Sequence, residues 1–298
     1  MNAPLTTLAQ DVAAALRRGQ ESLPAANGPL PSRPELESVA HRLRAVLFGR
    51  HRSGTPPHEV GVDAFVADTL LGTVPLLHEQ IRRDLLRSGS QPGESLLPLV
   101  QALTQRFLQQ LPTIQARLLE DLAAADAGDP AAQSRDEILL CYPGFHAVVL
   151  HRLAHALHEL GAPLVARCLA AIAQTWTGVD IHPAARIGPG FFIDHGTGVV
   201  IGATAILGAR VRLYQGVTLG ARSFRRDSEG ALCKGEPRHP ILHDDVQVFS
   251  GAAVLGRVTI GRGARIGAGV VVVDDVPAGA KVTALPGRQS GYYDGAGI

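Results

Sequence analysis

Two kinds of hydrophobic spacing divide this chain. Up to about residue 176, leucine, alanine and valine recur three and four positions apart, the stripe of amphipathic helices. The spacing predicts helices over Leu5–Arg18, Glu35–Phe48, Val60–Arg87 and Ser95–Leu111. Another runs to Ala127, with Pro112 starting or kinking it. At Gly128-Asp129-Pro130 the pattern predicts a new helix, Asp129 as its N-cap and Pro130 in its first turn. Gly144–Leu160, closed by Gly161, and Leu164–Thr175 complete a helical domain over residues 1–176.

Beyond Trp176 the rhythm changes to six. Aliphatic residues return at Ile181, Ile187, Ile193, Val199, Ala205, Val211 and Val217, with a second row at Ile201, Leu207, Leu213 and Leu219. Neither 3.6 nor 2 divides this period. A parallel β-helix with flat six-residue sides does, each coil burying its rows against the next. A polar excursion, residues 221–240, interrupts the repeat and carries a turn signal at Asp227-Ser228-Glu229-Gly230. The rows then resume from Val246 and Val248 until Pro277 and Pro286. The β-helix is expected over residues 177–288 and a glycine-rich tail over 289–298.

Composition narrows the function. Hydrophobic residues make up 46 % and aromatic ones 4 %, so the core is aliphatic. A formal charge of +1 argues against nucleic acid or an acidic membrane as the main partner. Cys141, Cys168 and Cys233 are scattered, with no CxxC spacing, no signal peptide is recognisable, and no apolar run is long enough to span a bilayer. A cytoplasmic protein is expected.

The repeat contains polar residues that it does not need. His195 is the leading catalytic candidate, since a histidine can remove a hydroxyl proton and return it. With three six-residue sides, a coil of eighteen puts Asp180 one coil below and three residues round, about 5 Å up and 10 Å along. An Asp within reach fixes the imidazole tautomer. Asp194 adjoins His195 and could share a corner cleft with it, and Arg238 has the fork geometry for a carboxylate. A solvated basic loop with Arg222, Arg225, Arg226 and Lys234 is the plainer reading of that stretch. His151 and His155 are four apart on one helix face, but without a partner carboxylate they read as packing residues, and no metal site is expected.

Taken together, Val179-Asp180-Ile181-His182-Pro183-Ala184-Ala185, Ile193-Asp194-His195-Gly196-Thr197-Gly198 and Arg238-His239-Pro240 resemble the serine O-acetyltransferases. Asp129-Pro130-Ala131 and Gly144-Phe145-His146-Ala147 resemble that family's segment ahead of the β-helix, and the similarity covers about residues 125–285. The resemblance implies a left-handed parallel β-helix that acetylates L-serine from acetyl-CoA as co-substrate, with no permanently bound cofactor, for cysteine synthesis. It implies His195 as general base, Asp180 as its orienting partner, Asp129 and Asp194 facing the serine ammonium, and Arg238 and His239 binding the carboxylate. Gly220, Ala221, Ser250 and Ala268 would contact CoA, at seams of a homotrimer or a dimer of trimers. Another acceptor, such as homoserine or a sugar, stays open. So does a metal-dependent hydratase of the γ-type carbonic anhydrase kind, since His182, His195, His239 and His243 are available.

Many members of that family end in Gly-Ile and insert the isoleucine into O-acetylserine sulfhydrylase, and Gly297-Ile298 fits this pattern. Deleting Ile298 is expected to abolish sulfhydrylase binding, read by titration calorimetry, while acetyl transfer is unchanged; undiminished affinity would refute the partner assignment.

Overall fold

A computed structural model describes residues 3–21, 28–49, 61–89 and 96–284. Seven helices precede fourteen short strands among them. The helices are α1 (Ala3–Glu21), α2 (Arg33–Leu47), α3 (Val62–Arg87), α4 (Leu97–Gly128), α5 (Arg135–Cys141), α6 (Pro143–Glu159) and α7 (Pro163–Thr177). Their core is the apolar stripe read from the sequence: Leu36, Val39 and Leu43 of α2 against Leu77 and Ile81 of α3 and Phe107 and Leu118 of α4, all buried. The α6–α7 hairpin closes at Gly161 (φ +91°), where Ala162 N–H reaches back to the Leu157 carbonyl at 2.9 Å.

Two helix boundaries depart from expectation. Pro112 neither starts nor ends a helix, because α4 runs through it. Buried Leu111, Ile114, Leu118 and Leu122 continue one stripe across it, and their packing offsets the roughly 3 kcal/mol cost of an internal proline. Asp129 does not cap a new helix. It ends α4, and its Oδ1 accepts the Ala131 N–H at 2.8 Å in a turn of its own. The next helix, α5, begins six residues later with Ser134 as N-cap, Oγ accepting from Glu137 N–H.

The strands are β1 (Asp180–Ile181), β2 (Arg186–Ile187), β3 (Phe192–Ile193), β4 (Val200–Ile201), β5 (Ile206–Leu207), β6 (Arg212–Leu213), β7 (Thr218–Gly220), β8 (Ile241–Leu242), β9 (Gln247–Val248), β10 (Ala253–Leu255), β11 (Thr259–Ile260), β12 (Arg265–Ile266), β13 (Val271–Val272) and β14 (Lys281–Val282). They form three all-parallel sheets in the orders β1-β4-β7-β10-β13, β2-β5-β8-β11 and β3-β6-β9-β12-β14, the three sides of a coil. Successive strands lie on successive sides, so each strand bonds its counterparts in the adjoining coils and none pairs with its neighbour in sequence. The second residue of each strand from β3 to β13 is buried on the axis. The coil continues past Pro277 to β14, since Val276 bridges to Ile260 and Lys281 pairs with Arg265. Pro286 and the 289–298 tail, with Ile298, lie outside the described residues.

The first coil is longer than eighteen. Asp180 pairs with Val200, Ile187 with Leu207 and Ile193 with Leu213, a turn of twenty residues, whereas Val200 to Thr218 takes eighteen. Two extra residues sit between β3 and β4, so Ile193 and Val199 belong to different rows. Ile181, Ile187 and Ile193 stack under Ile201, Leu207 and Leu213, while Val199 stacks over Val179.

The helical block seats on this first coil through α4, α6 and α7. Buried Asp121 of α4 makes the joint: Arg152 of α6 donates to both its oxygens (2.5 and 2.8 Å), and the Phe191 N–H donates to Oδ1 (2.8 Å). Arg152 also donates to the Gly188 carbonyl at 2.9 Å, tying α6 to the β2–β3 corner. Asp121→Ala is expected to lower stability by about 3–5 kcal/mol by leaving Arg152 buried and unpaired, measured as the urea midpoint. A loss under about 1 kcal/mol would show that this joint is not structural.

Candidate active site

The two extra residues between β3 and β4 fall in the run Asp194-His195-Gly196-Thr197-Gly198. Asp194 N–H bonds the Leu213 carbonyl at 2.9 Å, so the corner stays anchored while His195 is thrown outward. His195 has φ +57°, in the left-handed region that non-glycine residues seldom occupy, and its side chain is 71 % exposed. Its Nε2 lies 3.7 Å from Asp194 Oδ1, and Asp194 is largely covered.

The helical block brings further groups to this corner. The start of α6 presses on β3 so closely that a Cβ at Gly144 would strike the Ile193 carbonyl, which makes glycine obligatory there. Arg212 of β6 lies over the Phe192 ring at 5.2 Å and donates to the Gly128 carbonyl at 2.9 Å, holding the end of α4. Asp129 thereby stands within electrostatic reach of His195, and Tyr142, between α5 and α6, within reach of Asp194. Asp129 Oδ2 accepts the Tyr142 hydroxyl at 2.6 Å. That bond, then the Ala131 N–H, holds the Asp129 carboxyl below the usual carboxylate range, and the same bond pushes the Tyr142 phenol well above its ordinary value. Nothing in the local pattern marked Tyr142, because its partner is chosen by tertiary packing.

Asp180 opens β1, its N–H on the Val199 carbonyl at 2.9 Å. The twenty-residue coil sets it beneath Val200, five positions past His195 rather than three. Among the described residues no hydrogen bond joins it to His195.

A second group lies at the opposite end of the same side, where the first sheet turns toward the second. His239 folds its ring onto Gly202, in space that a Cβ there would fill. Its Nδ1 accepts the Thr204 N–H at 3.1 Å, which leaves Nε2 as the donor in the neutral ring. Arg238 and His239 N–H both donate to Thr204 Oγ1 (2.9 and 3.1 Å), and Arg257 donates to the His239 carbonyl (2.9 Å). These bonds pin the returning end of the 221–240 excursion. Arg238 lies over Phe224 at 5.9 Å, and its buried Nε has no partner. The remainder of that excursion is exposed and carries the expected turn, Asp227 N–H bonding the Ala231 carbonyl at 2.9 Å beside an antiparallel bridge of Arg226 and Leu232.

The remaining candidates divide between the same two corners. Thr197, Gln215, Ser250 and Ala268 form one column: Gly216 N–H bonds Thr197, Gly251 N–H bonds Gln215 and Gly269 N–H bonds Ser250, each at 2.9 Å. Ser250 and Ala268 thus lie along the His195 edge, one column on. Gly220 and Ala221 lie at the Arg238–His239 corner, where β7 ends. His151 and His155 pack at the seam beneath α6, ring centroids 5.8 Å apart, with His155 Nδ1 on the Pro183 carbonyl.

Comparison with known proteins fits this geometry. Residues 66–149 match the family described as "Serine acetyltransferase, N-terminal", and residues 239–274 match "Bacterial transferase hexapeptide (six repeats)". A plasmid-borne serine acetyltransferase of Synechococcus elongatus is 51 % identical over 279 residues, covering 91 % of this chain and 86 % of that one. The chain belongs to the serine acetyltransferases. Another family member, from Bacillus licheniformis, is 48 % identical over 171 residues, 57 % of this chain and 75 % of its own. Serine acetyltransferase isoform 3 of Entamoeba histolytica, solved in complex with cysteine, superposes with TM-score 0.73 at 30 % identity, covering 97 % of this chain and 96 % of that one. The Neisseria gonorrhoeae serine acetyltransferase in complex with serine gives TM-score 0.55 at 30 % identity, covering 84 % and 97 %. The fold expected for the family, a helical block followed by a left-handed parallel β-helix, is the fold found. No described helix is long and apolar enough to cross a membrane.

Histidines of the second corner are kept neutral. His182, whose Nδ1 accepts the Ala184 N–H at 3.0 Å, is depressed to about 4, first by burial and then by Arg167, His158, His239 and Arg238. His239 is lowered by burial, then by Arg238 and Arg257. The folded His182 binds a proton less readily than the unfolded chain, whose histidine titrates near 6.5. Its share of stability is therefore complete above pH 6.5 and is lost as pH falls toward 4. His182→Asn keeps an acceptor for Ala184 N–H and removes the titration, so the fall of the urea midpoint between these values is expected to be shallower in the variant. Superimposable pH profiles would refute this assignment.

Proposed function

We propose that this chain moves the acetyl group of acetyl-CoA onto the hydroxyl of L-serine, giving O-acetyl-L-serine and CoA for cysteine synthesis. The observation that carries this reading is the division of charge between two corners. One holds an exposed imidazole among carboxylates, and the other holds an arginine beside a histidine whose free nitrogen donates. An amino acid presents an ammonium to the first, a carboxylate to the second and a hydroxyl to the imidazole.

Neutral His195 accepts the proton of the serine hydroxyl as its oxygen attacks the thioester carbonyl. The tetrahedral adduct collapses, the C–S bond breaks, and the imidazolium returns its proton to the CoA thiolate. Asp129 and Asp194 attract the ammonium, and Arg238 with His239 Nε2–H holds the carboxylate. Asp180 orients the imidazole once the exposed ring turns back over β1. Acetyl-CoA runs along the edge through Ser250 and Ala268, with Gly220 and Ala221 supplying the facing wall. Its thioester end meets His195 where the two extra residues widen the corner.

The two half-sites stand at opposite ends of one side, so a single protomer cannot close both round one serine. A homotrimer resolves this, each seam pairing one protomer's His195 corner with the neighbour's Arg238 corner. The partnership of Ile298 with the sulfhydrylase rests on the Gly-Ile pattern alone.

Two inactive variants test chemistry and seam together. His195→Ala and Arg238→Ala are each expected to lower thiol release from acetyl-CoA with L-serine by on the order of 10²–10⁴. Co-expressed in equal amounts, they regain about a quarter of wild-type activity, since random mixing gives that share of seams both intact halves. Failure to regain activity would place the whole site within one protomer. Turnover with homoserine or a sugar in preference to serine would replace the acceptor.

A further inference from the structure

The Asp129 carboxylate sits in a turn beyond the end of α4, where a side chain on its own has several rotamers open to it. Two bonds remove that freedom. The turn's own Ala131 N–H takes Oδ1 at 2.8 Å, and the Tyr142 hydroxyl takes Oδ2 at 2.6 Å from thirteen residues away. Tyr142 is itself well fixed. It is at once the C-cap of α5, its N–H on the Ile138 carbonyl, and the N-cap of α6, with Pro143 in the first turn. That α6 start is the one clamped on Ile193 through Gly144. The phenol is thus referenced to the strand that leads into His195, whereas Asp129 is referenced to α4. Their bond is the link between the two frames.

We propose that Tyr142 is a positioning residue for the amino-acid substrate, holding Asp129 in the orientation that receives the serine ammonium beside His195. The inference rests on the reading of Asp129 as an ammonium ligand. A carboxylate oxygen can accept two hydrogen bonds, so each Asp129 oxygen keeps a site for the ammonium after the bonds from Ala131 and Tyr142. The phenol oxygen, donating to Asp129, keeps lone pairs of its own toward the same group. Asp194, the other carboxylate of the corner, lies within electrostatic reach of Tyr142, so the phenol stays protonated between two anions and remains a donor. Asp129 stays ionised at neutral pH without this bond. What Tyr142 supplies is direction, and its loss registers in serine binding rather than in the proton-transfer step.

Tyr142→Phe removes the hydroxyl and keeps the ring between the helices. The expected result is a rise of about tenfold in KM for L-serine, the scale of one lost hydrogen bond to a charged group. kcat and KM for acetyl-CoA stay within about twofold, since neither step uses the phenol. With 3-hydroxypropanoate, which has the hydroxyl and carboxylate of serine but no ammonium, kcat/KM is the same in variant and wild type. A general loosening of the corner would depress both acceptors alike. In an Asp129→Asn background the second substitution adds nothing further. Two results overturn the proposal and are distinguishable. If Asp129→Asn leaves the serine KM unchanged, the carboxylate is not an ammonium ligand and the assignment of Asp129 falls with the proposal. If Asp129→Asn raises that KM while Tyr142→Phe does not, or lowers the two acceptors equally, Asp129 keeps its role and Tyr142 loses its own.

Discussion

Coil-on-coil registration governs this molecule. Each strand is two or three residues long and buries little by itself, so the chain folds only because every side finds an identical side one turn above. The bonding is strict. Backbone N–H groups of one coil reach carbonyls of the next, from Asp180 on Val199 to Gly267 on Val282, at 2.8–3.1 Å along all three sides. A change in perimeter would slip every row above it unless the extra residues leave the wall at a corner. The perimeter departs from eighteen at three places: between β3 and β4, over residues 221–240, and near Val276, where the turn shortens to sixteen. The first two carry Asp194, His195, Arg238 and His239. The third lies beside the last described coil.

The same registration explains what could be read from the sequence. Period six exposed both rows and the excursion, and the helical stripe placed five of the seven described helices within a few residues and covered α4 as two pieces. The extra pair at the His195 corner was hidden by arithmetic. The two rows are offset by two positions, so inserting two residues carries one row onto the other. Val199 follows Ile193 by six just as Ile193 follows Ile187. The period looks unbroken while the stacking changes partners, and the Asp180–His195 offset came out two residues short. Asp129 failed for a different reason. Asp-Pro after a helix favours a cap, yet here the chain makes a turn, with Arg212 holding the Gly128 carbonyl just before it. That contact spans 84 residues in sequence, out of reach of local propensity.

Electrostatics follows from where the two corners sit. The His195 corner faces outward, its imidazole in solvent, and the bonds that Asp129 accepts hold its carboxyl below the usual carboxylate range. At the Arg238 corner, His182 and His239 are partly covered and share the space with Arg167, Arg238 and Arg257, so both rings stay neutral. A neutral ring whose Nδ1 already accepts a backbone N–H can only donate through Nε2. At that corner the two rings therefore present donors beside the arginines' positive charge.

On the proposed reading, selectivity comes from joining these corners across a seam. A zwitterion of serine's size satisfies both at once. An acceptor lacking the ammonium leaves the Asp129 and Asp194 carboxylates without a counter-charge, and one lacking the carboxylate leaves Arg238 Nε buried and unpartnered, as it is in the isolated chain. The proposed seam sets the two corners, which lie at the two ends of the first sheet's side, against each other. The pairing bond between Tyr142 and Asp129 then has a clear place, because a carboxylate that must meet a charge presented by another chain gains most from being aimed in advance.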